Sequence, residues 1–429
     1  MEPTSNEVVQ LPRRPTETAR EHVVILHEKL AKRKSDRYIL NLALAYHHLG
    51  YKVTVITTQY NKGESLEDLE YSEKIDVKFS AWWIPRTIFG MLRGCMSNLK
   101  AAWMAFRISF NPPKRKPALV VLDINLIALG ILHLFTSYKL FYVALLEPLR
   151  EDPELCEHSL YYPSLLEAKW IKLADTIIAE SDGFAEIFKQ SFPALVQEPV
   201  VLYPSVDIGL WNKPAIRIQR IIPDLLENTT VFLTVGKFKR SANFKLALDA
   251  FEILLQLIDD RDATKRFQLV IAGNCKTLDE KLYYNQLVAA TKDRMCASQV
   301  TILKQLPTVH EKTLIMESAV MIHPSRSDVH GDFILKSMSL GKPIVAVGKS
   351  IASKLLQNKI SGIITEPDPN AIAQVLRKLM SSSHLLPFMG QIANESFQKN
   401  FSFNNFCERL RILSGKYSTE SINRSRKTI

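Results

Sequence analysis

The chain has 429 residues, 46% of them hydrophobic and 23% charged, which excludes a disordered chain and is too long for a single ordinary core. Its five cysteines stand singly, with no C-x-x-C pair and no histidine at metal-ligand spacing, so a thiolate metal centre is not expected and buried thiols in a reducing compartment are. The formal net charge of +11 favours an anionic partner: nucleic acid, an anionic membrane surface or a phosphorylated ligand.

Residues 1–20 are polar, bear prolines and lack the apolar core of a secretion signal, so a disordered tail is expected. HVVIL at His22 to Leu26 reads as a buried strand, and a basic loop follows. A helical pattern then runs through Ile39, Leu42, Ala43 and Leu49 to Gly50, and KVTVIT at Lys52 to Thr57 is the next strand. This is the opening βαβ unit of a doubly wound parallel sheet.

Residues 81–110 break the alternation, with Trp82, Trp83 and Trp103, several large apolar residues and only basic charges, Arg86, Arg93, Lys100 and Arg107. An interfacial helix pair on an anionic membrane and a pair of core helices with snorkelling cations both fit this composition. The basic run Lys114 to Lys116 leans toward the membrane. The longest apolar stretch, Ala118 to Phe135, contains Asp123, Asn125 and His133 and reads as strand then helix, not as a membrane span.

Further strands are expected at Leu119 to Asp123, Lys139 to Val143, Thr176 to Ser181 and Val200 to Pro204, before a proline-bearing linker around Trp211 to Pro214. The pattern then restarts. Strands at Val231 to Gly236, Gln268 to Gly273, Val300 to Leu303, Val320 to Ser325 and Pro343 to Val347 alternate with helical segments. The expected fold class is α/β, with two Rossmann-like doubly wound domains facing a central cleft. The boundaries expected are a tail at 1–20, a first domain at 21–212 and a second at 213–400. A helix at 401–418 packs back on the first domain, and a polar tail occupies 419–429.

Several of these segments together resemble one family. VVILH at Val23 to His27, WIPR at Trp83 to Arg86, VLYPS at Val201 to Ser205 and the VIAG strand ending at Gly273 are similar to the dolichol-linked-oligosaccharide alpha-1,3/1,6-mannosyltransferases. So are HPS before Arg326, KPIVAV at Lys342 to Val347 and the run from Ser361 to Pro369. The resemblance spans roughly His22 to Tyr417. It implies a retaining GT-B enzyme that moves mannose from GDP-mannose to a lipid-linked oligosaccharide. The implied location is the cytoplasmic face of the endoplasmic reticulum membrane, peripherally held, with no cofactor and no metal.

The resemblance also implies site residues, and several are substituted. The glycine-rich turn after the first strand is replaced by Ala31 to Arg37, where Lys32, Arg33 and Lys34 offer charge on the acceptor or phosphate side in place of close backbone approach. Ala144 stands where the family has a sugar-contacting histidine, and Glu147 takes the acidic position after it. The arginine and lysine that clamp the donor diphosphate correspond to Lys237, beside Gly236, and to Ala242, with Lys239 and Arg240 nearby as substitutes. Of the family's two spaced glutamates, the first is Asp328, able to accept from a sugar hydroxyl, and the second is Lys336, a charge reversal that cannot accept at all. Gly331 and the helix start near Phe333 keep the amides that would receive the diphosphate, although Asp332 adds a negative charge there. The catalytic candidates are therefore Asp328, Lys237 and Glu147. Membrane contact is expected at Trp82, Trp83, Arg86 and Trp103.

These substitutions leave two readings open: an enzyme tolerant of an altered site, with changed donor or acceptor specificity as a variant, or a catalytically impaired relative serving as a membrane-associated partner or regulator. A nucleic-acid partner is not expected, because the basic residues are dispersed and do not interleave with aromatics. His310, His323 and His330 read as ordinary surface or packed histidines.

Overall fold

The computed structural model describes residues 21–30, 34–60, 75–85, 87–88, 92–113, 116–145, 164–206, 209–258, 264–348 and 351–415. Lys32, Arg33, Arg86 and Glu147, with both tails, lie outside these residues, and the side chain of Lys34 is likewise not described.

The described elements of the first half are β1 (His22–Leu30), α1 (Lys34–His48), β2 (Lys52–Tyr60), β3 (Asp76–Phe79), α2 (Arg93–Phe110), β4 (Leu119–Leu122) and α3 (Ile127–Phe135). They continue with β5 (Lys139–Ala144), α4 (Leu165–Trp170), β6 (Thr176–Ala179), α5 (Asp182–Ser191) and β7 (Val200–Val201). Their sheet has the order β3-β2-β1-β4-β5-β6-β7. The central β1 pairs parallel with β2 and with β4, and Val23 to Leu26 are fully buried. Burial on both faces is why these strands read as unbroken apolar runs.

The second half contributes β8 (Thr230–Lys237), α6 (Phe244–Leu257), β9 (Phe267–Asn274), α7 (Leu278–Lys292), β10 (Val300–Lys304), α8 (Thr308–Glu317) and β11 (Val320–His323). It ends with α9 (Asp332–Ser339), β12 (Ile344–Val347), α10 (Ala352–Leu355), β13 (Ile363–Thr365), α11 (Pro369–Ser381), α12 (Leu386–Asn400) and α13 (Phe403–Ser414). Here the sheet is β10-β9-β8-β11-β12-β13, parallel throughout. The period of two divides its side chains cleanly. Val231, Leu233, Val270 and Met321 pack on one face with α8 and α9, while Phe232, Leu269, Ile271 and Ile322 pack on the other with α6 and α11. The two Rossmann-like sheets of the expected α/β class are thus present.

Among the described residues, one compact unit runs to Phe141 and includes Leu173–Asp175, and the second takes the rest. In the first unit, the described residues of 81–110 contain one helix, not a helix pair. Described residues 81–84 make a turn, with Ala81 in the left-handed region at φ 57°, and α2 is a single helix. Ala101, Met104, Ala105 and Ile108 give α2 a buried face, whereas Trp103, Phe106 and Phe110 are exposed on it. The segment therefore combines the inner face of a core helix with an outer face that is aromatic. No described helix is long and apolar enough to cross a membrane.

Candidate functional site

In the second unit, two strand ends assemble one cradle. β8 stops at Gly236 and the exposed Lys237, and the chain turns through Arg240–Ala242 before Asn243, at φ 53°, opens α6. A side chain at Gly273 would overlap the carbonyl oxygen of Gly236, so glycine lets the ends of β8 and β9 close together. From the neighbouring β11, the loop after His323 reaches across: the Ser325 hydroxyl donates to the Ser241 carbonyl at 2.9 Å. Lys237, Arg240 and the 325–331 loop thereby belong to one local structure.

Within that loop Asp328 is held from two sides. Its Oδ1 accepts from the His330 amide at 3.0 Å, and its Oδ2 lies 3.4 Å from Nε2 of the buried His323. Gly331 then opens α9 at φ 69°, and a β-carbon there would collide with a methyl of Leu355. Both the backbone angle and the packing require glycine, and the result is a helix N-terminus whose first amides point away from the helix body. Phe333 sits just inside this start and is buried in the core.

The charge at this helix start differs from the bare sequence pattern. Lys336 Nζ lies 3.0 and 3.1 Å from the two carboxylate oxygens of Glu311 and 2.9 Å from Asp332, and 5.7 Å from the ring centre of Trp211. The Trp211 indole N–H in turn donates to the Ser339 hydroxyl at 3.1 Å. An ammonium has three donors, and this geometry occupies them. Lys336 is thus engaged by two carboxylates, and its single positive charge offsets one of the two negative charges at the helix start. Glu311 and Trp211 had no local signal in the sequence, because they come from other elements.

A third partner adjoins the loop inside the same unit. His330 Nδ1 pairs with Glu180 Oε1 at 2.7 Å, the Ser181 hydroxyl donates to the Val329 carbonyl, and the Phe184 ring meets the His330 ring edge-on at 4.8 Å. A β-carbon on Gly183 would come 2.9 Å from that of Val329. His330 is therefore an anchoring residue of the loop, more specific in its contacts than an ordinary surface histidine.

The first unit carries a different constellation, at the ends of β1 and β4. Buried His27 is held between two carboxylates, with Nδ1 2.7 Å from Asp123 Oδ2 and Nε2 2.9 Å from Asp36 Oδ1. Burial by itself lowers the imidazole pKa, but Asp123 and then Asp36 outweigh it through charge and hydrogen bonds and raise it to about 9. The imidazolium so fixed joins the strand ends to the first turn of α1, next to the position of the missing glycine turn. Ala144, at the end of β5, is buried and offers only a methyl group.

The expected membrane residues cluster. Trp82, Trp83 and Trp103 are all exposed, and the Trp83 and Trp103 rings meet nearly perpendicular at 5.4 Å. Phe106, Phe110 and Phe135 form a second group, with centroid separations of 5.2 to 6.0 Å, beside the exposed Leu134. Arg107 spans from the last turn of α2 to the Phe79 carbonyl at 2.8 Å.

Comparison with known proteins accords with this geometry. Residues 216–396 match the family model "Glycosyl transferases group 1". The chain is 23% identical over 427 residues to the alpha-1,3/1,6-mannosyltransferase ALG2 of Rhizomucor pusillus, covering 94% of this chain and 93% of that protein. It is 23% identical over 403 residues to the human protein of the same name, covering 90% and 94%. Among solved structures, a glycosyltransferase from Rickettsia africae ESF-5 superposes with a TM-score of 0.70 at 13% identity, covering 93% of this chain and 99% of that one. Anabaena Alr3699/HepE in complex with UDP and glucose gives 0.66 at 16% identity, covering 92% and 100%. Residues 216–396 therefore match a group 1 glycosyl transferase model, the fold is the GT-B fold of these solved structures, and the chain is similar along nearly its whole length to proteins named alpha-1,3/1,6-mannosyltransferase.

Proposed function

We propose that the protein is a retaining mannosyltransferase that uses GDP-mannose and a lipid-linked oligosaccharide acceptor, peripherally bound to the cytoplasmic face of the endoplasmic reticulum membrane. The observation that carries this reading is the β11–α9 cradle, in which Gly331 is sterically required and the Asp332 carboxylate is paired with Lys336. The unbonded first amides of a helix favour an anionic donor group, and the pairing of Asp332 with Lys336 lessens the opposing charge there.

In this reading Lys237 and Arg240 meet the diphosphate, the amides from Gly331 to Phe333 receive it, and Asp328 accepts from a hydroxyl of the transferred sugar. Lys336 acts through Asp332 and Glu311 as a positioning residue. The donor diphosphate can itself take the acceptor proton, so geometry and charge stabilisation supply most of the rate. Residues 213–400 hold the donor and residues 21–212 present the acceptor; the resemblance gives Lys32, Arg33 and Lys34 an acceptor or phosphate role and Glu147 a catalytic one. The exposed aromatics of α2, together with the exposed Arg107, suit an anionic lipid interface, while Lys100 is buried.

Two binding measurements test this. Calorimetric titration with GDP-mannose, UDP-glucose and GDP is expected to give saturable binding with GDP-mannose preferred, and cosedimentation is expected to show binding to anionic but not to neutral vesicles. Vesicle binding without any nucleotide-sugar binding would replace the enzyme by a catalytically impaired membrane partner.

A further inference from the structure

A second concave region lies wholly within the second unit and adjoins the Gly331 helix start through Leu355, which lines it. It is a cavity of about 630 Å³ lined by Asp182 at the start of α5, Tyr203 after β7, Lys354 and Gln357 around the end of α10, Asn400 at the end of α12, and Arg409 on α13. Its volume falls within the usual range for small-molecule sites, yet its walls are mostly amide, hydroxyl and charged groups. An apolar occupant is poorly matched to such walls.

The charges of the walls do not cancel. The one carboxylate, Asp182, is engaged by the Tyr203 hydroxyl, which donates to its Oδ2 at 2.7 Å. Burial first, and this hydrogen bond second, push the Tyr203 pKa far upward, so the hydroxyl stays a donor. Arg409 places Nη2 2.7 Å from the Val201 carbonyl, which fixes its guanidinium, and it is paired with no carboxylate among the described residues. Lys354 likewise has no acidic partner among them. A planar fork and a point charge on one cavity are the two cationic groups best suited to a phosphate. A neutral amide stands beside them: one N–H of the Asn400 side chain donates to the Ser396 carbonyl at 3.0 Å, and its side-chain oxygen can accept from hydroxyl groups.

We infer that this cavity is a second small-molecule site, for a phosphate monoester of a sugar, with Lys354 and Arg409 on the phosphate and the amide-rich wall on the ring. Its lining includes none of the residues assigned to the donor, and it does not rest on the mannosyltransferase reading.

Calorimetric titration of the full chain with glucose 6-phosphate, inorganic phosphate, glucose and glucuronate tests the inference. Glucose 6-phosphate is expected to bind best, inorganic phosphate more weakly, and the other two not measurably. Lys354→Gln, at an exposed position, keeps the thermal midpoint and weakens binding about tenfold, and adding Arg409→Gln weakens it by about tenfold again. Arg409→Lys keeps the charge without the fork and gives an intermediate loss should Arg409→Gln fail to fold. Lys237→Gln leaves this binding unchanged. No binding at millimolar ligand, binding insensitive to Lys354→Gln, glucuronate or inorganic phosphate equal to the sugar phosphate, or loss in Lys237→Gln instead would each overturn it.

Discussion

The donor-side cradle and the His27 cluster solve opposite problems. At β11–α9 the backbone is constrained by Gly331, and the side chains around it form a charge network drawn from several elements: Lys336 against Asp332 and Glu311, Asp328 beside His323, and His330 on Glu180. In the first unit a side-chain triad is closed on itself, with both ring nitrogens of His27 committed to carboxylates and all three groups buried. The first network ties a loop to a helix start, whereas the closed triad ties strand ends to the first turn of α1. A charge-reversed position is thus accommodated where the new charge finds partners, as Lys336 does in Glu311 and Asp332.

Lys336→Glu breaks the first region most severely. It sets a third carboxylate against Glu311 and Asp332 in a largely buried place and is expected to cost about 3–5 kcal/mol, read from urea unfolding. The swap Lys336→Glu/Glu311→Lys is expected to recover much of that, and failure to recover any would show that the pair is incidental.

The His27 triad is expected to show in the pH dependence of stability. Its folded pKa of about 9 lies above the unfolded value of 6.5. Its contribution is therefore complete below about pH 6.5 and is lost as pH rises through about 9, amounting to about 3 kcal/mol. His27→Gln is expected to flatten that slope across the same window, and an unchanged slope would place the titration elsewhere.

A smaller effect is expected from Gly331→Ala. The left-handed backbone and the Leu355 contact together cost about 2 kcal/mol, with a loss of nucleotide-sugar affinity larger than the loss of stability explains. The least effect on stability, within about 0.5 kcal/mol, is expected from Trp82→Ser/Trp83→Ser/Trp103→Ser, because these rings are exposed. Cosedimentation with anionic vesicles is nevertheless expected to fall sharply in that variant.

The strands were legible because burial on both faces writes them as apolar runs, as in Val23 to Leu26 and Leu269 to Ala272. Gly331 was legible because it stands at a fixed distance after β11 and before a helix. The charge network was not: Lys336 and Glu311 are 25 residues apart, His27 and Asp123 are 96 apart, and His330 meets Glu180 from another element. Such pairs exist only once the chain has folded, so Lys336 reads alone as a misplaced cation and His330 as an ordinary histidine. Residues 81–110 misled for a related reason, since the tryptophans before α2 lie in a turn that leans on the helix through Trp83 and Trp103.

The most direct measurement is transfer of labelled mannose from GDP-mannose to a lipid-linked chitobiose-mannose acceptor by the purified protein, beside Asp328→Ala. Turnover by the native chain, falling at least about a hundredfold in the variant while its thermal midpoint holds, is the result expected of a working cradle. No turnover by the native chain, with donor and acceptor both present and the protein folded, would contradict it.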